Sequence, residues 1–268
     1  LFKYQFLAIF FFYDKVYLII FRLFLCYRTL FYNLRMVMKS TLESILQETM
    51  FDFWAILNSE EKRVISDNFQ IQTFKKNEVI YSEGETPSQL MCLLKGKVKI
   101  YKDGVGGRSQ IIRLIRPVQY FGYRAYFSQE QYVTAAAAIE PSTVGFLPMP
   151  LVESFIKKNN DLAFFFIKEL ATNLGQSDTR TVNLTQKHIR GRLAESLLVL
   201  KENYGLEEDG ITLNIYLARE DLANLSNMTT SNAIRTLSCF VNEKIIIVDG
   251  RKIKILDEEK LIKISKFG

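Results

Sequence analysis

The pattern of hydrophobic and polar positions divides the chain into three stretches. Residues 40–68 have helical character, and residues 69–148 break into short β-rich runs separated by turn residues. This spacing is typical of a barrel or sandwich of antiparallel strands. From residue 150 to about 204 the apolar period becomes helical. The predicted strands are 69–74, 79–82, 89–94, 97–102, 110–115, 133–139 and 143–147.

One face of the predicted long helix repeats small or apolar residues at alternating steps of four and three. A seam of this kind can bury itself against an identical helix. We therefore predict that residues 159–186 form a dimerisation helix, the alternative being a helix that packs only on its own barrel. The seam consists of Ala163, Ile167, Leu170, Leu174, Ser177, Thr181 and Leu184.

Residues 219–237 predict a helix, a tight turn and a second helix. Small Ala223 lets two helices cross closely, Asn227 tolerates the left-handed conformation, and Thr229 or Thr230 can cap the second helix. The predicted packing faces contain Leu222, Ala223, Leu225, Ala233, Ile234 and Leu237. The second helix is predicted to expose Thr230, Ser231, Asn232, Arg235 and Thr236.

These exposed groups suit DNA recognition. Short polar side chains fit against base edges in the major groove, and Arg235 can contact guanine through two hydrogen bonds, although an exposed arginine is by default a solvated charge. Residues 243–255 add two strands around an Asp-Gly turn, the pattern of a hairpin wing. The base-reading candidates are Thr230, Ser231, Asn232 and Arg235, and the weaker phosphate candidates are Arg192, Arg219, Lys252 and Lys254, with Arg251 beside them on the wing.

Composition supports a folded protein and shows that most of its net charge lies in residues 1–35. The chain has 268 residues, 48% of them hydrophobic and 24% charged, which excludes a disordered protein. Its net charge is +6, but residues 1–35 supply five basic residues and one acidic one. Because residues 36–268 are almost neutral, DNA binding has to be argued from where residues lie.

Residues 1–35 are rich in aromatic and aliphatic side chains but carry charges that interrupt every apolar run. No run reaches the eighteen or more residues of a spanning helix, and no signal-peptide cleavage pattern follows. We hypothesise that translation starts at Met36 or Met38, so that 1–35 is an extension that is not translated. The alternative is a membrane-associated or partner-binding segment. A membrane partner and export are both disfavoured, so a cytoplasmic location is expected.

Cysteine and histidine are too few and too scattered for a metal centre. The three cysteines show no metal-ligand spacing, and one histidine cannot build a multi-histidine site. We predict no metal, and we expect Cys92 to be a buried strand residue. A haem needs only one axial ligand from the protein, so His188 is a possible haem ligand. We favour the alternative, in which His188 is a packing or solvated residue in a hinge.

Over residues 40–268 the arrangement resembles the Crp/Fnr family of bacterial transcription regulators. Barrel, long helix and winged helix follow in the family's order, the barrel carries glycine turns at Gly84, Gly96 and Gly122, and residues 189–198 resemble the family's linker. The resemblance implies an α+β fold: an N-terminal β jelly-roll of the cyclic-nucleotide-binding type over 36–158, a dimerisation helix over 159–186 and a winged helix-turn-helix over 187–268.

The resemblance also implies where an effector would bind. In family members that bind cyclic AMP, a Glu follows the glycine matching Gly122, and an Arg precedes the residue matching Thr134; here Tyr123 and Val133 stand in those places. Loss of the arginine removes the phosphate's charge partner, so cyclic AMP is predicted not to be the ligand. The candidate effector residues are Gly122, Tyr123, Arg124, Val133, Thr134, Ser177 and Asp178, with no cofactor predicted and the effector unknown.

The sequence therefore predicts a homodimeric regulator that binds double-stranded DNA at a two-fold symmetric site. RNA polymerase becomes a further partner if the protein activates transcription. One alternative is a membrane-anchored sensor of the cyclic-nucleotide type that uses residues 1–35 as its anchor, and another is a ligand-independent regulator with a purely structural barrel. An enzyme is disfavoured, because a catalytic jelly-roll needs clustered His and carboxylate ligands and this barrel has no His.

Overall fold

The computed structural model describes residues 43–44, 46–104 and 106–267. The chain forms two compact units, and the first of them ends at Ala55 with helix α1, Phe51–Ala55. The second unit, Ile56–Gly268, contains the barrel, the long helix and the winged helix-turn-helix. The hypotheses about residues 1–35, a late translation start or a membrane-associated segment, lie outside the described residues.

The second unit begins with helix α2, Ser59–Asn68, which is followed by the barrel. Asn58 caps α2 in a reciprocal pair with Glu61: each side chain accepts a hydrogen bond from the other residue's backbone N–H at 2.9 Å. The strands are β1 Gln70–Phe74, β2 Val79–Tyr81, β3 Gln89–Lys95, β4 Val98–Asp103, β5 Ser109–Ile115, β6 Tyr120–Phe121, β7 Ala135–Ala138 and β8 Ser142–Pro148.

These strands form two four-stranded antiparallel sheets, in the orders β1-β8-β3-β6 and β2-β7-β4-β5. All seven predicted strands are confirmed to within two residues at each end. The short β6 and the helix α3, Tyr123–Phe127, were not predicted. Two and five residues are too few to show a strand or helix period, so the pattern at these positions is only that of a break.

Two of the glycine turns need glycine for a physical reason. Gly96 has φ +96°, and a Cβ there would lie 2.7 Å from the Cα of Ser142, a contact that no side chain can make. Gly122 has φ +86° and ends β6, and its Cβ would lie 3.1 Å from the carbonyl oxygen of Gln89. Both glycines combine a left-handed backbone with close approach of a neighbouring chain segment.

The helical region after the barrel consists of three helices. They are α4 Met149–Ile156, α5 Asn160–Gln186 and α6 Ile189–Tyr204. The side chain of Asn159 accepts a hydrogen bond from the N–H of Leu162 and starts α5, and extended backbone at Lys187 and His188 separates α5 from α6. Gly175 lies inside α5, because a single glycine costs only about 1 kcal/mol in a helix.

The winged helix-turn-helix has the predicted local geometry. Helix α7 is Arg219–Leu225 and helix α8 is Thr230–Asn242. Asn227 adopts the left-handed conformation at φ +49°, and Thr229 caps α8 by accepting a hydrogen bond from the N–H of Asn232. The wing pairs β9, Ile246–Asp249, with β10, Lys252–Ile255, and helix α9, Glu258–Phe267, follows it.

Two predictions about α8 are wrong. Thr236 is only 9% exposed, and its hydroxyl donates to the carbonyl of Asn232 at 2.8 Å, so it lies in the packed face and not on the surface. Ile234, predicted to pack, is 48% exposed. The helical period admits both assignments, because both residues lie at the edge of the apolar stripe that contains Ala233 and Leu237.

Candidate nucleic-acid interface and its connection to the barrel

The surface of α8 carries the polar side chains expected of a recognition helix. Thr230, Ser231 and Arg235 are exposed, and Asn232 is half-buried in the first turn. Ala233, Leu237 and Phe240 hold the opposite side of α8 in the core of the domain. Since packing fixes the inner face, the outer face of α8 is rigidly presented to solvent and can contact base edges in a major groove.

The wing lies beside this helix and carries basic side chains. Arg251 and Lys252 are exposed in and next to the turn that joins β9 to β10. Lys252 forms an ion pair with Glu207 at 3.4 Å, and Lys254 one with Asp209 at 3.5 Å. Hydrogen bonds from Thr212 hold the pKa of Asp209 well below its ordinary value, so Asp209 is anionic near neutral pH. A phosphate would compete with these carboxylates for both lysines.

The two remaining phosphate candidates, Arg192 and Arg219, form hydrogen bonds within the protein. Arg192 donates from its three guanidinium nitrogens to the carbonyls of Lys187, Ser226 and Asn227, at 3.1 to 3.2 Å. Arg219 donates to the carbonyl of Gly250 in the wing, and burial lowers its pKa. These contacts assign Arg192 to holding the turn between α7 and α8, and Arg219 to holding the wing, while their part in phosphate binding stays a prediction.

The turn between α7 and α8 is also held from outside the helix-turn-helix. Four successive carbonyls, those of residues 224 to 227, accept hydrogen bonds from side chains elsewhere in the unit. Gln110 of β5 donates to the carbonyl of Asn224 at 2.6 Å, and Arg180 of α5 donates to that of Leu225 at 2.8 Å. We call Gln110, Arg180 and Arg192 the turn clamp.

Arg180 connects three parts of the unit. Its Nη2 atom donates both to the carbonyl of Leu225 and to the carbonyl of Ile111 in β5, the latter at 2.7 Å. Burial lowers the pKa of Arg180, because removal from water disfavours the charged guanidinium. Arg180 is half-buried, and a charged group that leaves water needs hydrogen bonds to compensate it. Here the compensating carbonyls belong to the barrel and to the helix-turn-helix.

Further contacts join the same surfaces. Lys99 of β4 forms an ion pair with Asp221 of α7, and Arg108 donates to the side-chain oxygen of Asn227 at 3.3 Å. Ile111 and Leu114 of β5 belong to the apolar cluster that forms the core of the winged domain. The barrel and the helix-turn-helix are therefore docked by a continuous apolar contact with charged and polar contacts around it.

The long helix α5 has two distinct faces. Leu162, Phe166, Asn173 and Arg180 recur at steps of four and seven, so they share one face, and the contacts of Asn173 and Arg180 show that it lies against the barrel. The predicted seam lies on another face, where Ile167 is 58% and Leu174 63% exposed. Ser177 and Thr181 are also exposed, whereas Ala163, Leu170 and Leu184 are half-buried.

Within one chain, the candidate effector residues lie in several places. Tyr123 is buried against Phe166, and its hydroxyl accepts a hydrogen bond from Asn173 at 3.1 Å, which ties α3 to the long helix. Burial raises the pKa of Tyr123 to about 12. Arg124 is exposed and pairs with Glu130 at 3.2 Å, as a barrel-rim charge would. Ser177 and Asp178 are exposed on α5.

Inside the barrel, aromatic rings take up the space next to Gly122. Tyr81 and Tyr132 stack with ring centroids 4.0 Å apart, and Thr134 lies 3.5 Å from the hydroxyl of Tyr81. A Cβ on Gly122 would lie 3.2 Å from the hydroxyl of Tyr132. Val133, which stands where the resemblance places a phosphate-binding arginine, is 46% exposed. The local arrangement thus offers ring faces and hydroxyls. The cation beside Val133 is Lys102, which donates to the carbonyl of Val133 at 2.9 Å and pairs with Glu83.

A separate cleft of about 490 Å³ opens beside α3 and α4. Its lining includes Tyr126, Phe127, Glu130 and Glu153, and Tyr126 donates to Glu153 at 2.6 Å. None of the seven candidate effector residues lines it. This cleft could not be predicted from the sequence, because its walls come from segments more than twenty residues apart.

The cysteine and histidine residues differ in burial. Cys92 is buried in β3, as predicted, and burial raises the pKa of its thiol to about 12. His188 is exposed and lies at the junction of α5 and α6. Among residues 43–44, 46–104 and 106–267, no cluster of three His, Cys, Asp or Glu side chains is arranged to hold a metal ion. In the same residues, no helix has both the length and the apolar character to span a bilayer.

Comparison with known proteins identifies the family. The profile of the cyclic nucleotide-binding domain matches residues 71–159, and that of the Crp-like helix-turn-helix domain matches residues 191–264. The chain is 23% identical over 198 residues to the CRP-like cAMP-activated global transcriptional regulator of Mycobacterium tuberculosis, covering 74% of this chain and 88% of that protein. It is 25% identical over 188 residues to the global nitrogen regulator of a Nostoc species, covering 69% and 84%.

Solved structures agree in fold. The structure of FixK2 from Bradyrhizobium japonicum superimposes with a TM-score of 0.67 at 22% identity, covering 73% of this chain and 96% of that one. The protein therefore has the predicted α+β architecture of a cyclic-nucleotide-binding-type barrel, a long helix and a winged helix-turn-helix. It belongs to the Crp/Fnr family and is a transcription regulator with an effector-binding domain, not an enzyme.

Proposed function

We propose that the protein acts as a homodimer whose two α8 helices bind a two-fold symmetric DNA site, with half-sites about one helical turn apart. The exposed polar face of α8 carries this proposal, with Thr230, Ser231, Asn232 and Arg235 as the base-reading residues. The wing supplies phosphate contacts through Arg251 and Lys252. Since its partner is the chromosome, the protein is proposed to work in the cytoplasm.

The dimer is proposed to form through α5. Ile167 and Leu174 expose apolar surface on a face of α5 that its own barrel leaves open. Exposed apolar seams of this kind mark sites of protein association. In this proposal the sensor domain covers 36–158, the dimerisation helix 159–186 and the DNA-binding domain 187–268.

The direct test is selection of random duplex DNA by the full chain without added ligand, followed by binding of the selected site at several salt concentrations. A symmetric site and a steep salt dependence are expected, because phosphate contacts release counterions. If a folded dimer selects no sequence with or without candidate effectors, the proposed function is overturned.

Arg235→Ala is expected to relax specificity at one base pair in each half-site. Loss of a two-hydrogen-bond contact to guanine should cost about 1–3 kcal/mol at that position and leave the salt dependence nearly unchanged. Competition of the selected site against its single-base-pair variants measures the effect.

Arg251→Ala is the matched control, since it removes the same side chain from the exposed wing. It should weaken binding to all sequences alike and lower the salt slope by about one for each protomer. An unchanged base preference in Arg235→Ala, or a base-specific loss in Arg251→Ala, would contradict the roles assigned here.

The barrel is proposed to sense an effector other than cyclic AMP and to act on the DNA-binding domain through α5. On the barrel face of this helix, Asn173 contacts Tyr123, and Arg180, about 10 Å further along, holds the helix-turn-helix. A ligand that moves α3 or the rings behind it would shift both contacts together. A two-state element biased at both ends is what coupling between an effector and DNA requires.

Cyclic AMP is expected not to stabilise the protein. With Val133 in place of an arginine and the Tyr81–Tyr132 stack beside Gly122, the phosphate lacks the guanidinium that binds it in the family, and Lys102 beside Val133 already pairs with Glu83. At 1 mM ligand, a Kd of about 10 µM would add about 2.7 kcal/mol to the free energy of unfolding. Thermal unfolding with and without cyclic AMP should show no shift, with the Mycobacterium tuberculosis relative as positive control. A saturable rise in Tm would overturn the prediction.

A further inference from the structure

Ile234 is an apolar side chain in the middle of the polar face of α8. It is 48% exposed, next to exposed Arg235, one turn after Ser231 and one turn before Ser238. The other apolar residues of the first two turns, Ala233 and Leu237, are buried. An isolated exposed isoleucine on a protein surface is ordinary, but this one lies in the N-terminal half of the helix proposed to enter a major groove.

Two hydroxyl groups near Ile234, those of Thr236 and Ser238, are bonded to the backbone of α8 itself. Ser238 donates to the carbonyl of Ile234 at 3.0 Å, and Thr236 donates to the carbonyl of Asn232 at 2.8 Å. These bonds lie along the helix backbone. The surface at Ile234 is therefore apolar, and the branched side chain that forms it has few rotamers in a helix.

Base edges in the major groove present hydrogen-bonding groups at every base pair but only one apolar group, the 5-methyl of thymine. Apolar surface at this position gains free energy by contacting that methyl group and loses it by facing amino or carbonyl groups. Ile234 and Arg235 are both exposed in the N-terminal half of α8, so both side chains can reach base edges of one half-site when this half of the helix lies in the groove.

We propose that Ile234 is a specificity-determining residue that reads a thymine methyl group in each half-site, in addition to the base pair read by Arg235. The proposal rests on the proposed DNA-binding function and makes it more specific: an apolar contact selects thymine in the half-site that also holds the guanine contact. It also explains why this position of the helix carries an isoleucine in solvent.

Replacement of thymine by deoxyuridine tests the proposal, because it removes the methyl group and leaves every hydrogen-bonding group in place. Each thymine of the selected site is replaced symmetrically in both half-sites, and Kd is measured by fluorescence anisotropy at constant salt with the full chain. One thymine per half-site should matter, with a loss of about fourfold per methyl, or about fifteenfold for the pair.

The substitution Ile234→Ala should weaken binding to the thymine site by a similar factor and bring the thymine-to-uracil ratio close to one. Val241→Ala is the matched control, since Val241 is an exposed apolar residue two turns later on the same helix; it should keep the wild-type ratio. Because Ile234 and Val241 are both exposed, both variants should retain the wild-type unfolding transition. Circular dichroism measures this transition.

Two results overturn the inference and leave the proposed function standing. The first is a selected site at which no uracil substitution weakens binding. The second is Ile234→Ala protein that binds the site but discriminates thymine from uracil as the wild type does. Absence of any selected site would instead remove the proposed function and, with it, this reading of Ile234.

Discussion

Carboxylates at both Ile167 and Leu174 are expected to make the protein monomeric and to lower its affinity for the symmetric site by at least about 100-fold. These two side chains are 58% and 63% exposed on the free face of α5. In a dimer each substitution enters twice, so Ile167→Glu with Leu174→Glu places four unpaired charges in an apolar interface, which costs several kcal/mol. The loss of affinity follows because each monomer then holds a single half-site without the effective concentration that its partner provides.

Analytical ultracentrifugation measures the change in mass, and anisotropy with the selected duplex measures binding. Thr172→Glu with Thr179→Glu is the matched control, since both threonines are exposed on the side of α5 opposite the seam. The control adds the same charge to the same helix and should leave the dimer and its DNA affinity unchanged. A seam variant that stays dimeric would show that the protein associates through another surface.

Arg180→Ala is expected to loosen the helix-turn-helix from the barrel and to lower the free energy of unfolding by about 3 kcal/mol. Its guanidinium serves two buried carbonyls, those of Ile111 and Leu225, at 2.7 and 2.8 Å. Hydrogen bonds from a charged donor contribute about 1.5–3 kcal/mol each, and buried carbonyls left without a donor are costly. Arg180→Lys should recover only part of the loss, because a single ammonium group lacks the planar fork of the guanidinium.

Chemical denaturation measures the stability, and hydrogen exchange locates the effect. The amides from Leu222 to Met228, which precede or lie in the clamped turn, should exchange faster in Arg180→Ala, while those of β3 and β8 should keep their protection. Arg63→Ala on the exposed surface of α2 is the control and should be neutral. Equal exchange throughout the turn would show that the turn clamp does not hold the DNA-binding domain.

The strands and the helix-turn-helix could be predicted because their determinants are local. Gly96 and Gly122 mark turns with a left-handed backbone and little room for a side chain, and Asn227 with Thr229 defines the turn and the cap of α8 within three residues. Such features depend on the backbone preferences of a residue and its immediate neighbours. Strand β6 could not be predicted from such local features, because it is only two residues long.

The structure adds contacts to the predicted site residues that their sequence positions do not show. Arg192 and Arg219 have the charge that suits a phosphate, and the sequence offers no sign that both donate to carbonyls of their own domain. Ile234 and Thr236 exchanged their predicted places, because residues at the edge of an apolar stripe are assigned by the neighbours that tertiary packing brings.

The sequence alone determined the order of elements, the family and the surface of α8 that faces solvent at Thr230, Ser231 and Arg235, because period, turn chemistry and capping act over a few residues. Only the tertiary structure decided which side chains connect the barrel to the DNA-binding domain. The chain places 45 to 115 positions between any two of Gln110, Arg180 and Leu225. Their hydrogen bonds exist because packing of β5 against α7 buries carbonyls that then require donors.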